Sequence, residues 1–256
     1  MNNLLSAQKV LVLGAGGFLG SKITKKALEQ GAQVIAVDLK IEDLQVRLHR
    51  QGIDLDDSNV SLFELDVTSE QAVKSFFHTQ SGITAAVNCT YPRNKSYGTH
   101  FLDVTLESFN ENLALHLGSA FLVTQQCAAY FTRNQQAFSL VNISSIYGVV
   151  APKFEIYQNT SMTTPVEYAA IKSAILHLNK YVARYINDSR FRVNSVSPGG
   201  ILDNQPEPFL EAYKSNTNGT GMLDVDDVVG PVLYLISPQS LFVTGQNLII
   251  DDGFCL

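Results

Sequence analysis

The sequence predicts an α/β fold, a doubly wound parallel sheet covered by helices on both faces, in a single domain spanning residues 1–256. Three observations predict it. Strand-like and helix-like segments alternate along the whole chain, as parallel strands joined by crossover helices require. The strands are rich in Val, Ile and Leu, as burial on both faces demands. A glycine-rich turn, Gly14-Ala15-Gly16-Gly17-Phe18-Leu19-Gly20, follows the first strand and opens the first helix.

The elements follow in order. Val10-Leu11-Val12-Leu13 is the first strand, too short for a signal peptide and leading directly into glycines. A helix over 18–30 follows, then a strand at 33–37 and a helix at 41–50. A third strand at 60–65, a helix at 70–79 and a fourth strand at 84–88 come next. A polar loop over 91–100 precedes one long helix at 106–133 and a fifth strand at 138–143. The stretch 166–186 reads as a helix, with Ala169, Ala170, Ala174, Leu176, Leu178, Val182 and Ile186 apolar and no internal Gly or Pro. A sixth strand at 192–196 leads into a loop rich in Pro, Asn and Gly over 198–221. A helix at 225–236 and a strand at 247–250 finish the chain. No repeat, low-complexity tract or linker interrupts this order.

Composition narrows the function classes. An apolar content of 45% supplies a core, and 16% charged residues is low for a disordered chain. The net charge of -6 argues against a nucleic-acid surface and against an anionic membrane. No apolar run is long enough to span a bilayer. Cys89, Cys127 and Cys255 form no C-x-x-C pair, and the five histidines show no metal-ligand spacing. No metal is expected, and a reducing cytoplasm is.

Tyr168 and Lys172 carry the chemistry. At i and i+4 on a helix they share one face. A phenol with a reference pKa of about 10 is a poor base at neutral pH, and a neighbouring cation lowers that value. The spacing therefore predicts a proton donor and acceptor tuned by Lys172. The glycine turn predicts a pyrophosphate seat: the backbone turns tightly, approaches the anion, and offers the free N–H groups of a helix N-terminus. Asp38, at the end of the second strand, is the expected acceptor for a ribose hydroxyl. Its carboxylate repels a 2′-phosphate, which favours NAD over NADP, although Lys40 lies two residues on.

With these residues assembled, the chain resembles the short-chain dehydrogenase/reductase family over nearly its full length. The resemblance rests on the glycine turn, Leu65-Asp66-Val67-Thr68, Asn88, Asn142-Ile143-Ser144-Ser145, Tyr168-x-x-x-Lys172, Arg192-Val193-Asn194-x-Val196-x-Pro198-Gly199, and Thr244-Gly245-Gln246 before Asp251-Asp252-Gly253. It implies a Rossmann-type sheet of seven strands and a homodimer or homotetramer. It implies Ser145, Tyr168 and Lys172 as catalytic residues. Cofactor contacts are implied at Gly14, Gly16, Gly17, Phe18, Leu19, Gly20, Asp38, Asp66, Val67, Asn88, Tyr168, Lys172, Pro198, Gly199 and Ile201. Ser144 matches a neighbour at the sheet end and is expected to be a buried hydroxyl bonded to backbone.

Four departures bear on function. The glycines fall at 14, 17 and 20, the spacing of the larger branch of the family, and Phe18 replaces a glycine of the compact branch. Asn88-Cys89-Thr90-Tyr91 adds bulk after the fourth strand. The family's asparagine in the long helix falls at His116, with Asn112 one turn earlier as a rival. Asp203 stands where the family often has a threonine. A histidine that titrates near physiological pH is expected to relay protons from Lys172 to water.

The expected reaction is hydride transfer between a nicotinamide cofactor and an alcohol or ketone. Two polar segments, 149–165 and 201–223, are expected to build the substrate pocket, through Lys153, Glu155, Tyr157, Gln158, Asn159, Thr160, Asp203, Asn204, Gln205 and Glu207. Arg93, Asn94 and Lys95 are expected to add a basic rim, with Arg93 and Lys95 placed to hold a phosphate. The stretches 91–97, 145–148, 151–157 and 199–208 are similar to bacterial dehydrogenases associated with flagellin modification and surface-glycan synthesis, which implies a polar sugar or amino-sugar substrate. An apolar acyl or steroid-like carbonyl, and a non-catalytic NAD-binding subunit, are the competing readings.

Overall fold

The computed structural model describes residues 3–160 and 162–256. Met1 and Asn2 of the N-terminal segment and Ser161 of the 149–165 insert lie outside the described residues. In chain order the elements begin with β1 (Lys9–Leu13), α1 (Phe18–Glu29), β2 (Gln33–Asp38), α2 (Ile41–Arg50), β3 (Val60–Glu64), α3 (Glu70–Thr79) and β4 (Ala85–Asn88). They continue with α4 (Leu106–Asn112), α5 (Gly118–Asn134), β5 (Phe138–Ile143), α6 (Val166–Ile186), β6 (Phe191–Pro198), α7 (Glu207–Lys214), α8 (Val225–Ile236) and β7 (Asn247–Ile250).

The seven strands form one parallel sheet in the order β3-β2-β1-β4-β5-β6-β7. The chain winds outward from β1 to β3, then returns to β4 and winds the other way. That reversal leaves a crevice beyond the carboxyl ends of β1 and β4, where no crossover helix covers the sheet. Leu13 aligns with both Val37 and Asn88, so the ends of three strands meet at the crevice floor.

Alternation along the strands divides the core in two. Val10, Val12, Val34, Ala36, Val87 and Val141 face one side, where they pack with Ile23 and Ala27 of α1, Leu44 and Leu48 of α2, and Val228 and Val232 of α8. Leu11, Leu13, Ile35, Val37, Leu140 and Val193 face the other, against Val73 and Phe77 of α3 and Val123 and Tyr130 of α5. Each fully buried large apolar side chain contributes about 1.5–3 kcal/mol. Side-chain caps start several helices: Ser69 accepts from Ala72 at α3, and Asp224 and Asp227 form a capping box at α8.

Two elements differ from the sequence reading. The long helix is not continuous: a five-residue π turn, Leu113–Leu117, separates α4 from α5. The loop after β6 contains a two-turn helix, α7, entered at Pro206 and burying Phe209 and Tyr213 at i and i+4. Among the described residues no helix is long and apolar enough to cross a membrane.

Candidate active site

The carboxyl end of β5 delivers two serines to the crevice. Ser144 is buried, and its hydroxyl donates to the carbonyl of Lys172 at 2.8 Å, which ties the strand end to α6. Ser145 continues in extended conformation, accepts from Tyr147 N at 3.2 Å, and lines the same cavity as Tyr168. The short turn Ile146–Gly148 then crosses α6. A Cβ on Gly148 would lie 2.7 Å from the Lys172 carbonyl carbon and oxygen, so only glycine permits this approach.

Tyr168 and Lys172 do share a face of α6, and both line one cavity with Ser145. The Lys172 ammonium is buried and donates to Ile143 O at 2.9 Å. It lies 5.5 Å from the Tyr168 ring centroid. The acidity of the phenol departs from the sequence expectation. Burial raises the Tyr168 pKa, and the opposing pull comes from the Ser145 hydrogen bond rather than from Lys172. Burial pushes Lys172 itself down to about 7.

The π turn aims His116 inward, and its Nε2 lies 3.4 Å from the Lys172 ammonium. Asn112, the rival for this place, points elsewhere: its amide bonds to Asn94 and to Glu167 Oε1. The expectation that His116 titrates near physiological pH is corrected. Burial, with Lys172 and Arg93 adding to it, pushes its pKa down to about 2. A neutral imidazole of this kind moves protons only by accepting at one nitrogen while releasing from the other.

The glycine turn forms a tight cradle. Gly14 has φ +78°, and Gly17 N donates to Gly14 O at 3.0 Å. A Cβ on Gly20 would sit 2.1 Å from Gly14 O. Asp38 accepts from Gly16 N and from Leu39 N, each at 2.7 Å, which fixes its carboxylate beside the turn. Here a second cavity of about 430 Å³ is lined by Gly14, Gly16, Asp38, Asp66 and Val67. The Asp66 carboxylate accepts from Thr68 N at 2.9 Å. The first cavity, also about 430 Å³, reaches Phe18, Leu19, Gly20, Pro198, Gly199 and Ile201. Gly17, Cys89, Thr90 and Tyr91 border both cavities, so the two form one elongated groove across the sheet ends. A backbone cradle that admits no Cβ at Gly20, facing a fixed carboxylate, fits a dinucleotide. Asn88 spends its side chain on Asn142 and Thr90 beneath this groove.

The far wall of the first cavity differs from the sequence expectation. Of the ten polar residues expected there, only Tyr157 and Gln205 line it. Glu155, Gln158, Asn159, Asp203, Asn204 and Glu207 are exposed to solvent. Tyr147, Met162, Phe209, Tyr213 and Met222 make up much of the surface instead. The i, i+4 spacing of Phe209 and Tyr213 is a sequence signal that could have found this wall, in a stretch that the sequence reads as a loop. Arg93 and Lys95 border neither cavity, and the Arg93 guanidinium lies over the Tyr91 ring at 4.8 Å from its centroid. Among the described residues Lys172 is the sole formally charged side chain lining the first cavity.

Comparison with known proteins agrees with this geometry. A family model described as enoyl-(acyl carrier protein) reductase matches residues 14–255. The flagellin modification protein A of Campylobacter coli is 37% identical, over 99% of this chain and 100% of that one. A 7α-hydroxysteroid dehydrogenase of Bacteroides fragilis is 24% identical over 96% of this chain and 94% of its own length. A solved short-chain dehydrogenase from Leptospira borgpetersenii with bound NAD+ superposes with a TM-score of 0.86, at 31% identity, covering 100% of this chain and 95% of that one. Sequence and architecture thus agree over the whole groove, from the glycine cradle to the Ser145–Tyr168 pair: the chain belongs to the short-chain dehydrogenase/reductase family and is a nicotinamide-dependent oxidoreductase.

Proposed function

We propose that the protein interconverts an alcohol and a ketone on a sugar or amino sugar, with Tyr168 as proton donor and acceptor and NAD as cofactor. The observation that carries the chemistry is the convergence of Ser145, Tyr168 and Lys172 in the wall of a cavity continuous with the glycine cradle. Bound nicotinamide supplies or accepts the hydride. Ser145 donates to the substrate oxygen and steadies the charge that develops there. Tyr168 takes the proton from that oxygen in oxidation and returns it in reduction. Lys172, tied to Ile143 O, would hold the cofactor's ribose. His116 stands next in line to replenish the proton.

Asp38 supports NAD over NADP, because a carboxylate already fixed by two backbone N–H groups cannot turn away from a 2′-phosphate. The sugar assignment is supported by the relative named for flagellin modification. It is also supported by a wall that mixes aromatic faces with the hydroxyls of Tyr147, Tyr157, Thr163 and Thr164, which suits a ring with an apolar face and a hydroxylated edge. Apart from Lys172 at the reaction centre, a substrate phosphate finds no lysine or arginine in this cavity and belongs at its mouth. The steroid dehydrogenase relative keeps an apolar alcohol as the second reading.

The same reading places the reaction in the cytoplasm and joins two or four copies of the chain. The exposed faces of Phe121, Tyr181 and Tyr185 on α5 and α6 support self-association. Incubating the protein and NAD+ with a panel of hexoses, hexosamines and their phosphates, and following reduced nicotinamide by absorbance, tests the assignment. Turnover of sugars and none of steroid alcohols is expected. The reverse pattern overturns the sugar reading, and no turnover of either class overturns the catalytic one.

A further inference from the structure

The third residue after β4 is Tyr91, and it touches more of the reaction centre than its place on a loop suggests. Its ring packs edge-on against Tyr168 at 5.7 Å and against His116 at 4.9 Å between centroids. Two cations lie near the same ring: the Lys172 ammonium at 5.6 Å and the Arg93 guanidinium at 4.8 Å from its centroid. Its hydroxyl donates to Tyr97 at 2.6 Å. Tyr91 also borders both cavities.

The loop that carries Tyr91 is bound to the same helix by a second, polar route. Asn94 and Asn112 form a reciprocal pair: Asn94 N donates to Asn112 Oδ1 at 3.0 Å, and Asn112 Nδ2 donates to Asn94 Oδ1 at 3.1 Å. Asn112 also donates to Oε1 of Glu167, the residue immediately before Tyr168. Glu167 is fully buried, and its Oε2 has no hydrogen-bond partner. A buried carboxylate so poorly satisfied is costly. Its one bond closes a circuit that runs from Tyr91 through Asn94, Asn112 and Glu167 back to Tyr168.

We propose that Tyr91 is a positioning residue for the Tyr168–Lys172 pair, its ring shielding the Lys172 ammonium from solvent, and that the Asn94–Asn112–Glu167 chain holds the ring in place. The inference rests on the oxidoreductase reading above for its significance, but its physical content is separate. An aromatic ring attracts a cation and excludes water from it at once. A two-point attachment, one aromatic and one polar, fixes a loop that either contact alone leaves free to move.

Timed labelling with acetic anhydride at fixed pH, read residue by residue by mass spectrometry, tests the shield without any substrate. In Tyr91→Ala the labelling rate of Lys172 should rise by about tenfold, while that of exposed lysines such as Lys40 and Lys95 stays constant. Tyr91→Phe, which keeps the ring, should restore the slow rate. Asn94→Ala should fall between, at about threefold. Equal Lys172 labelling in Tyr91→Ala and the wild type overturns the proposal, as does a parallel rise at every lysine or a Phe variant that behaves like Ala. An Asn94→Ala rate equal to wild type removes the polar chain from it. NADH binding, followed by nicotinamide fluorescence in the same variants, separates the two levels: failure of the wild type to bind defeats the oxidoreductase reading and leaves the labelling result to decide Tyr91.

Discussion

The two ends of the groove are built by opposite means. At the β1–β2 end the contacts belong to backbone: Gly14 turns at positive φ, Gly20 has no room for a Cβ against Gly14 O, and one carboxylate, Asp38, is held by two main-chain N–H groups. At the β5–β6 end the wall belongs to side chains that arrive from separate segments. Tyr147 follows β5, Tyr157 and Met162 come from the insert, and Phe209, Tyr213 and Met222 come from the segment after β6. The buried Phe254 braces them, stacked on Tyr213 at 4.7 Å between centroids, while the Lys153 ammonium donates to its carbonyl at 3.1 Å. A backbone cradle recognises what every dinucleotide shares. A side-chain wall can be recut without disturbing it, which is how one fold serves many substrates.

Separate substitutions can break this division. Tyr168→Phe should cut turnover by about 10²–10⁴-fold and leave NAD binding intact. Loss of NAD binding as well, by calorimetric titration, would mean the two ends are not independent. Gly20→Ala should do the reverse, abolishing cofactor binding and costing about 3 kcal/mol in urea denaturation, because its new methyl collides with Gly14 O. Gly230→Ala, with open space around its Cβ position, is the matched control.

Lys172 lies between the ends and sharpens the comparison through pH. Its folded pKa, about 7, lies below its ordinary 10.5, so between those values the unfolded chain binds the extra proton and stability rises with pH. The buried charge is most costly below about 7 and costs nothing above 10.5. Lys172→Met should therefore gain about 2 kcal/mol on the wild type at neutral pH, with the gain shrinking as pH rises toward 10.5. A pH-independent difference in denaturant midpoints would refute that account. Asp38→Asn should shift the preference from NAD toward NADP by about tenfold in kcat/KM, since it removes a like charge from the 2′-phosphate. The smallest effect is expected from His116→Asn, a fall in kcat with little change in KM. An unaltered kcat takes His116 out of the proton path.

What the sequence disclosed follows the same division. Backbone roles are legible because glycine and strand periodicity encode them locally, and α2, α3, α6 and α8 begin and end where their patterns do. Tyr168 and Lys172 meet because helical spacing alone brings them to one face. The far wall was not legible. The polar residues of its two segments turn toward water, and their few aromatic neighbours turn inward, a choice made by tertiary packing around Phe254. The His116 pKa was hidden for a related reason: residue type gives the usual value, whereas burial beside a lysine sets the actual one. The π turn left no trace either, because Leu113, Leu115 and Leu117 suit a wide or a normal turn equally.

That wide turn stores one residue of slack. Its deletion would let Leu106–Asn112 and Gly118–Asn134 fuse into a regular screw. Each residue advances such a screw by about 100°, so loss of the surplus residue would leave the two flanking segments in phase and re-aim the side chains within the turn itself. His116 and Asn112 could then no longer serve the lysine and the loop together. A single codon lost here would re-aim the interior, whereas the same loss at a surface turn such as the one around Gly52 would pass with little effect.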